Sequence, residues 1–218
     1  SSTAGPRKAL RSANATSGRL ASQTGVTAPT GDTLVAASQD DDAIVPVTLP
    51  ASFAFQVYGT PVTQLRADTN GVLIFNAGTV ASTASNGALP VSAYGAPALF
   101  ALWDDLDLSP TVASGGGIYT RTLGTAPNRT FDIEWRAVRW VQGAATPVAP
   151  TMVFSVRLHE TTNLIEVYYT TVTGNGGGAS GSSGTVGIQA AGTGTVFTQF
   201  SNNQADRKST RLNSSPQI

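Results

Sequence analysis

Apolar and polar residues alternate with period two through the middle of the chain. In T-F-D-I-E-W-R, residues 130–136, Phe131, Ile133 and Trp135 point one way and Asp132, Glu134 and Arg136 the other. That pattern predicts a half-buried strand. Strict continuation would bury Arg139 and expose Val138 and Trp140. A bulge near Arg136–Val138 is therefore expected, returning Val138 and Trp140 to the core side; the alternative leaves Trp140 exposed for binding. Residues 152–169 predict a hairpin, with Phe154, Val156 and Leu158 on one face and Ser155, Arg157 and His159 on the other. Its turn falls near Glu160–Asn163, and a β-branched, aromatic strand returns from Leu164 to Tyr169. His159 is expected in solvent.

Asn70-Gly71, between L-R-A-D-T and V-L-I-F, predicts a second hairpin. Both residues accept the positive φ of a type I′ turn. Further strands are expected at 43–49, 53–58, 97–103, 117–122, 184–190 and 194–200, punctuated by Pro and Gly. There is no amphipathic helix of ten residues or more. Many short strands without crossover helices predict an all-β fold, a single antiparallel β-sandwich of jelly-roll or Greek-key type. A chain of this length buries roughly 70% of its unfolded surface, enough to fold without disulfides or metal.

The ends differ from the middle. Residues 1–32 are small, polar and basic, and read as a flexible linker or pro-segment. A nucleic-acid arm would need denser charge with interleaved aromatics. Asp206 to Ser215 spell D-R-K-S-T-R-L-N-S-S, the translation of a common sequencing adapter, GATCGGAAGAGCACACGTCTGAACTCCAGT. Residues 206–218 are accordingly read as a non-native tail, and the native chain is expected to continue as part of a longer multidomain protein. The sandwich is assigned to residues 33–205.

Setting the ends aside changes the charge. The whole chain is neutral, but residues 33–205 hold six Arg and no Lys against eleven acids, a net of −5. That balance argues against nucleic acid as a partner. There is no Cys, which excludes a disulfide framework, thiolate metal sites and a Cys nucleophile. His159 is the one histidine, and no G-x-S-x-G elbow accompanies it. No run of 18 apolar residues predicts a membrane span. The Gly-rich stretch 173–184 lacks the Lys-Ser/Thr ending of a phosphate loop and reads as a connection between strands.

Candidate chemistry gathers where A-L-F-A-L-W runs into D-D-L-D. Asp104, Asp105 and Asp107 admit three readings. Paired hydrolytic carboxylates would need a facing acid across a cleft. A calcium site would use them among six to eight oxygens, although the D-x-D-x-D-G spacing is missing. A structural corner fits best, the carboxylates accepting loop N–H groups at a strand end. Calcium stays open as the only cofactor considered. Asp40, Asp41 and Asp42 form a second acidic run that could add ligands if it folds beside residues 104–107. Trp103 and Trp135 read as core. Trp140 and one of Tyr168 and Tyr169 are the candidates for an outward sugar-stacking platform, since neighbours in a strand face opposite ways.

One order of motifs unites these features: L-P-A-S-F-A-F-Q-V-Y-G (49–59), T-N-G-V-L-I-F (69–75), P-A-L-F-A-L-W-D-D-L-D (97–107), G-G-I-Y-T-R (116–121), N-R-T-F-D-I-E-W (128–135), F-S-V-R-L-H-E-T-T-N-L-I-E-V-Y-Y (154–169) and T-V-G-I-Q (185–189). Over residues 33–203 the chain resembles the NIDO (nidogen-type) extracellular domain, and in particular the NIDO-like modules of large bacterial secreted and surface proteins. The resemblance implies a non-catalytic β-sandwich, with Asn70, Gly71, Trp103, Asp104, Asp107 and Trp135 as structural residues. The lack of cysteine implies a bacterial rather than an animal source. The expected function is adhesion or structural spacing in a secreted or cell-surface protein, with an unidentified protein or glycan as partner. The alternative is a glycan-binding accessory module of a secreted hydrolase, dependent on calcium or not.

Overall fold

The computed structural model describes residues 8–13, 19–24, 30–139, 147–173 and 182–204, the first two segments as backbone only. Its elements are strands: β1 (Lys8–Ala13), β2 (Arg19–Thr24), β3 (Thr33–Leu34), β4 (Ile44–Val47), β5 (Gln56–Val57), β6 (Thr60–Pro61), β7 (Leu65–Asp68), β8 (Val72–Phe75), β9 (Ala98–Trp103), β10 (Leu106–Asp107), β11 (Gly117–Leu123), β12 (Thr130–Arg139), β13 (Met152–His159), β14 (Ile165–Val172), β15 (Thr185–Gln189) and β16 (Phe197–Asn202). Among the described residues no helix is long and apolar enough to cross a membrane.

The strands form two large antiparallel sheets and a separate two-stranded sheet of β5 and β6. Sheet A runs β2-β1-β14-β13-β12-β11-β3, with β10 also paired to β12. Sheet B runs β16-β15-β9-β8-β7-β4. They are not closed into a barrel. After five strands in sheet A, β10 to β14, the chain returns to lay β15 against β9. One apolar core lies between the sheets. Phe131, Ile133, Trp135 and Ala137 of β12 and Phe154, Val156 and Leu158 of β13 meet Leu65, Ala67, Leu73 and Phe75 of sheet B. Trp135 stacks on Phe154 at 5.3 Å between ring centroids.

A second core covers the opposite face of sheet B. Val72, Ile74, Ala98, Phe100 and Trp103 pack there against Ala77, Leu89 and Tyr94 from the 76–97 connection. The central strands β8 and β9 are thus buried on both faces, which explains their unbroken apolar runs V-L-I-F and A-L-F-A-L-W.

The far face of sheet A is covered differently. Asp132 and Glu134 are buried, although alternation put them on the polar side. Charge pairing explains it. Arg157 makes two bonds to Asp132, at 2.6 and 2.9 Å. Glu134 holds Arg136 at 2.8 Å and the Gly31 N–H at 2.8 Å. His159 is not a solvent histidine: its Nε2 lies 2.8 Å from the buried Glu166, which also accepts from Tyr168. Buried carboxylates persist where such partners meet them.

Three other sequence expectations change. Segments 8–13 and 19–24, expected in a linker, are a hairpin that extends sheet A along β14. No bulge interrupts β12, whose register with β13 runs unbroken from Thr130 to Ala137. Ala137 continues the inward face, and Val138 is buried on the other side, where Asp107 of β10 pairs with it. The pairing irregularities occur instead at Val153/Phe154 and Val186/Gly187. Of the expected strand 53–58 only Gln56–Val57 pairs, while Phe53 and Phe55 are core residues on irregular backbone. Trp140, residues 206–218 and most of the Gly-rich stretch lie outside the described residues.

Candidate functional site

The N-G hairpin and the W-D-D-L-D corner meet, the Leu106 N–H bonding Asn70 Oδ1. Strands β7 and β8 pair Asp68 with Val72, leaving Thr69, Asn70 and Gly71 as the loop. The Gly71 N–H bonds the Asp68 carbonyl at 3.0 Å. Of the loop residues only Gly71 has positive φ, 82°. The turn is therefore not type I′ but a three-residue loop closed by a left-handed glycine. Asn70 forgoes the left-handed form because its side chain is engaged elsewhere. Its Oδ1 accepts the Leu106 N–H at 2.8 Å, and its Nδ2 donates to Asp42 Oδ1 at 2.8 Å and Ser82 Oγ at 3.1 Å.

Gly71 is held as closely. Its carbonyl accepts N–H bonds from Ala101 and Leu102. A Cβ there would lie 2.1 Å from the Leu102 carbonyl oxygen and 3.2 Å from the Phe154 ring. Across the main core, Trp135 Nε1 donates to the Asp68 carbonyl at 2.8 Å, tying sheet A to this turn. On the other side Trp103 Nε1 donates to Thr83 at 2.8 Å.

Asp68 is wholly buried. Its Oδ1 accepts from the Asn70 N–H and Ser82 Oγ, and its Oδ2 from Tyr94 at 2.7 Å. Burial raises the Asp68 pKa, opposed by those three bonds. Burial and the neighbouring Asp68 also raise that of the Tyr94 hydroxyl. Asp68 fastens the 76–97 connection to sheet B.

The three corner aspartates separate. Asp104 is buried; its Oδ1 accepts from the Asp105 N–H, and its Oδ2 accepts from Ser183 and lies 3.4 Å from Arg139 Nε. Asp107 is buried and accepts the Ser109 N–H at 2.8 Å, capping the exit loop. Asp105 turns away from both. It joins Asp41 and Asp42, one carboxylate oxygen of each lying within 4.8 Å of the others. Of the calcium candidates considered from sequence, Asp104, Asp105 and Asp107, only Asp105 joins this cluster, and Asp41 and Asp42 complete it. The second acidic run does come to the corner. Thr69 brings it there, its hydroxyl donating to the Asp41 carbonyl while accepting the Ala43 N–H. The Leu108 N–H bonds the Asp40 carbonyl at 3.1 Å.

The crowding has electrostatic consequences. The Asp41 pKa is pushed up to about 6, by burial first and then by the charges of Asp107, Asp42, Asp105 and Asp40. Asp105 is raised by burial, Asp42 and Asp104, and Arg139 only partly offsets them. Asp41 Oδ1 is inaccessible to solvent and has no hydrogen-bond partner among the described residues. Such an oxygen is costly unless protonated or neutralised.

A protein-family model described as NIDO related matches residues 15–217. The chain belongs to the NIDO-related family. The match covers part of the N-terminal segment and most of the tail that sequence reading set apart. No curated protein and no solved structure gives a significant match. NIDO-related membership suggests an extracellular context. Neither Trp103 nor Trp135 offers this NIDO-related domain a stacking surface, since both are buried between layers. Tyr168, on the outer face of sheet A, is also buried, and the Tyr169 hydroxyl donates to Ala101 in the core.

Sequence reasoning missed Asp68, Ser82 and Tyr94. The one available signal was the V-L-I-F and A-L-F-A-L-W runs. Burial of both faces requires a cover, and residues 76–97 are the long connection between these two strands.

Proposed function

We propose that this NIDO-related domain is a non-catalytic extracellular module for adhesion or structural spacing within a bacterial secreted or cell-surface protein. One observation carries the reading. Outside the Asp41–Asp42–Asp105 cluster, the side chains that could do chemistry are consumed by the fold: His159 on Glu166, Asp104 and Asp107 on corner donors, Asp68 on three donors, and both described tryptophans on backbone carbonyls. A general base or a sugar platform needs free groups that converge on an accessible site. The test has two arms. The purified chain should show no turnover against panels of glycoside, ester and peptide substrates; turnover abolished by His159→Ala or Asp105→Asn would overturn the proposal. Cells displaying the module should adhere to matrix or neighbouring cells more than cells displaying an unrelated domain of equal length, if adhesion is the role. Saturable binding on a glycan array would favour the accessory-module reading instead.

A second reading is favoured by the buried Asp41 oxygen. Asp41, Asp42 and Asp105 would hold a divalent cation, calcium by the chemistry of an all-oxygen donor set. The cation would rivet the 38–43 loop to the corner and stabilise the module where extracellular calcium is available. Millimolar calcium should raise the melting temperature, EDTA should reverse the rise, and Asp105→Asn should abolish it. An unchanged melting temperature removes this reading and leaves the first intact.

A further inference from the structure

Three places in the chain read N-x-S/T with a middle residue other than proline: Asn14-Ala15-Thr16, Asn128-Arg129-Thr130 and Asn213-Ser214-Ser215. That pattern is the acceptor signal for an asparagine-linked glycan, and it requires a surface loop. Asn14 and Asn213 lie outside the described residues. Asn128 lies in the connection between β11 and β12, where residues 121–128 are all exposed.

Its side chain sets Asn128 apart from the other described asparagines, each of which spends its carboxamide inside the fold. Asn70 bonds Leu106, Asp42 and Ser82. Asn76 and Asn163 accept backbone N–H groups, Asn86 donates to the Ser183 carbonyl, and Asn202 and Asn203 accept from Thr185 and Asn86. Among the described residues the Asn128 carboxamide makes no such bond. The backbone closes the turn without it, the Asn128 N–H bonding the Thr125 carbonyl at 2.9 Å. Arg129 is drawn the other way, bonding Glu160 at 2.9 Å and lying 5.5 Å over the Phe53 ring. Alternation leaves Asn128 and Thr130 together on the opposite side. The Thr130 hydroxyl makes no hydrogen bond among the described residues either. The amide and the hydroxyl that the signal needs are therefore both unspent.

We propose that Asn128 is the acceptor of an asparagine-linked glycan. The bond formed joins Asn128 Nδ2 to C1 of the first sugar. The bond broken joins that carbon to the diphosphate of an activated sugar donor; the diphosphate departs, and the carboxamide gives up one proton. Donor and transferase belong to the cell that exports the chain, and the site is independent of whether the module serves adhesion or spacing. Arg139, at the far end of β12, pairs with Leu106 of the corner. The glycan therefore stands at the end of the strand remote from the acidic cluster.

Secretion of the full chain from yeast, whose own exported glycoproteins show the transferase at work, followed by mass spectrometry of tryptic peptides, tests this. Cleavage after Arg121 and Arg129 releases Thr122–Arg129, in which Asn128 is the one asparagine. Most of that peptide should carry a glycan, and peptide N-glycosidase should remove it and leave aspartate at position 128. Thr130→Ala should abolish the modification and Thr130→Ser should retain it. Both should keep the parent melting temperature, since the hydroxyl carries no bond in the fold. Thr122–Arg129 recovered wholly unmodified overturns the proposal, whether or not Asn14 is modified. So does a glycan on that peptide that survives Asn128→Gln or is indifferent to Thr130→Ala. Export is imposed by the host, so a blank result counts against Asn128 and not against the extracellular reading.

Discussion

Three glycine-to-alanine changes separate the two reasons a position can demand glycine. Gly71 has φ 82° and no room, with the Leu102 carbonyl oxygen 2.1 Å from where a Cβ would sit. Gly59 has φ 76° and open space, and Gly78 has neither restriction. Left-handed backbone costs a non-glycine residue about 1–2 kcal/mol. Forcing an atom into packed structure costs about 1–3 kcal/mol more. Gly71→Ala should therefore lose about 2–5 kcal/mol, toward the upper end because the obstacle is backbone whose neighbouring N–H groups bond the Gly71 carbonyl. Gly59→Ala should lose only the conformational share, about 1–2 kcal/mol. Gly78→Ala should be neutral or gain up to about 1 kcal/mol from a less flexible unfolded chain.

Urea unfolding followed by tryptophan fluorescence measures all three, since Trp135 is bonded to the turn itself. At about 2–4 °C per kcal/mol for a chain of this size, Gly71→Ala should melt roughly 4–20 °C below the parent. The order of the three variants is the test. If Gly71→Ala costs no more than Gly59→Ala, the close approach to Leu102 contributes nothing, and the account of the junction is wrong.

Asn70→Ala leaves the Leu106 N–H without its acceptor and should cost about 1–3 kcal/mol. Amide exchange at Leu106 should accelerate more than in the rest of the corner; unchanged protection would contradict the assignment. Arg157→Met strands the buried Asp132 and should cost about 3–5 kcal/mol, most of it regained in the double variant with Asp132→Val. A double variant as unstable as the single would show that the pair is not the cause. The folded pKa of Asp41, about 6, lies above its unfolded value near 3.9, so protonation favours the fold. That contribution is complete below about pH 4 and lost as pH rises through 6. In chelator-treated buffer the melting temperature should fall between about pH 4 and 6, and Asp41→Asn should flatten the fall.

Strands β12 and β13 were legible because one face of each meets the core while the other carries side chains that pair with one another, so period two survives. The same alternation could not show that the polar face is itself buried. Burial there depends on Arg157 lying opposite Asp132 in register, which is set by strand pairing. The second core left only the unbroken runs of β8 and β9 as a trace, because its cover scatters Leu89 and Tyr94 among Ala, Ser, Gly and Pro with no period. The acidic loop and the corner are more than sixty residues apart in sequence, from Asp41 to Asp105, and nothing local to either predicts their contact. The turn was misjudged for a related reason. Asn-Gly favours a type I′ turn when the asparagine is free, and here its side chain is engaged in three bonds to other parts of the chain.

Those three bonds explain why the N-G turn and the W-D-D-L-D corner function as one unit. The corner leaves a buried N–H at Leu106 that needs an acceptor, and Asn70 supplies it. The turn brings a glycine carbonyl against β9, and Ala101 and Leu102 supply its donors. Trp135 and Trp103 then clamp the junction from the two cores. Asp104 and Asp107 are consumed in shaping the corner, which leaves Asp105 turned out toward Asp41 and Asp42. The acidic cluster is thus the part of the junction that internal bonding leaves unbalanced, with Arg139 set against Asp104 rather than among the three. Like charges gathered around a buried, unpartnered oxygen leave a proton or a cation as the ways to relieve them. Calcium should therefore raise stability most near pH 7, where Asp41 is ionised, and least near pH 5, where a proton already occupies it.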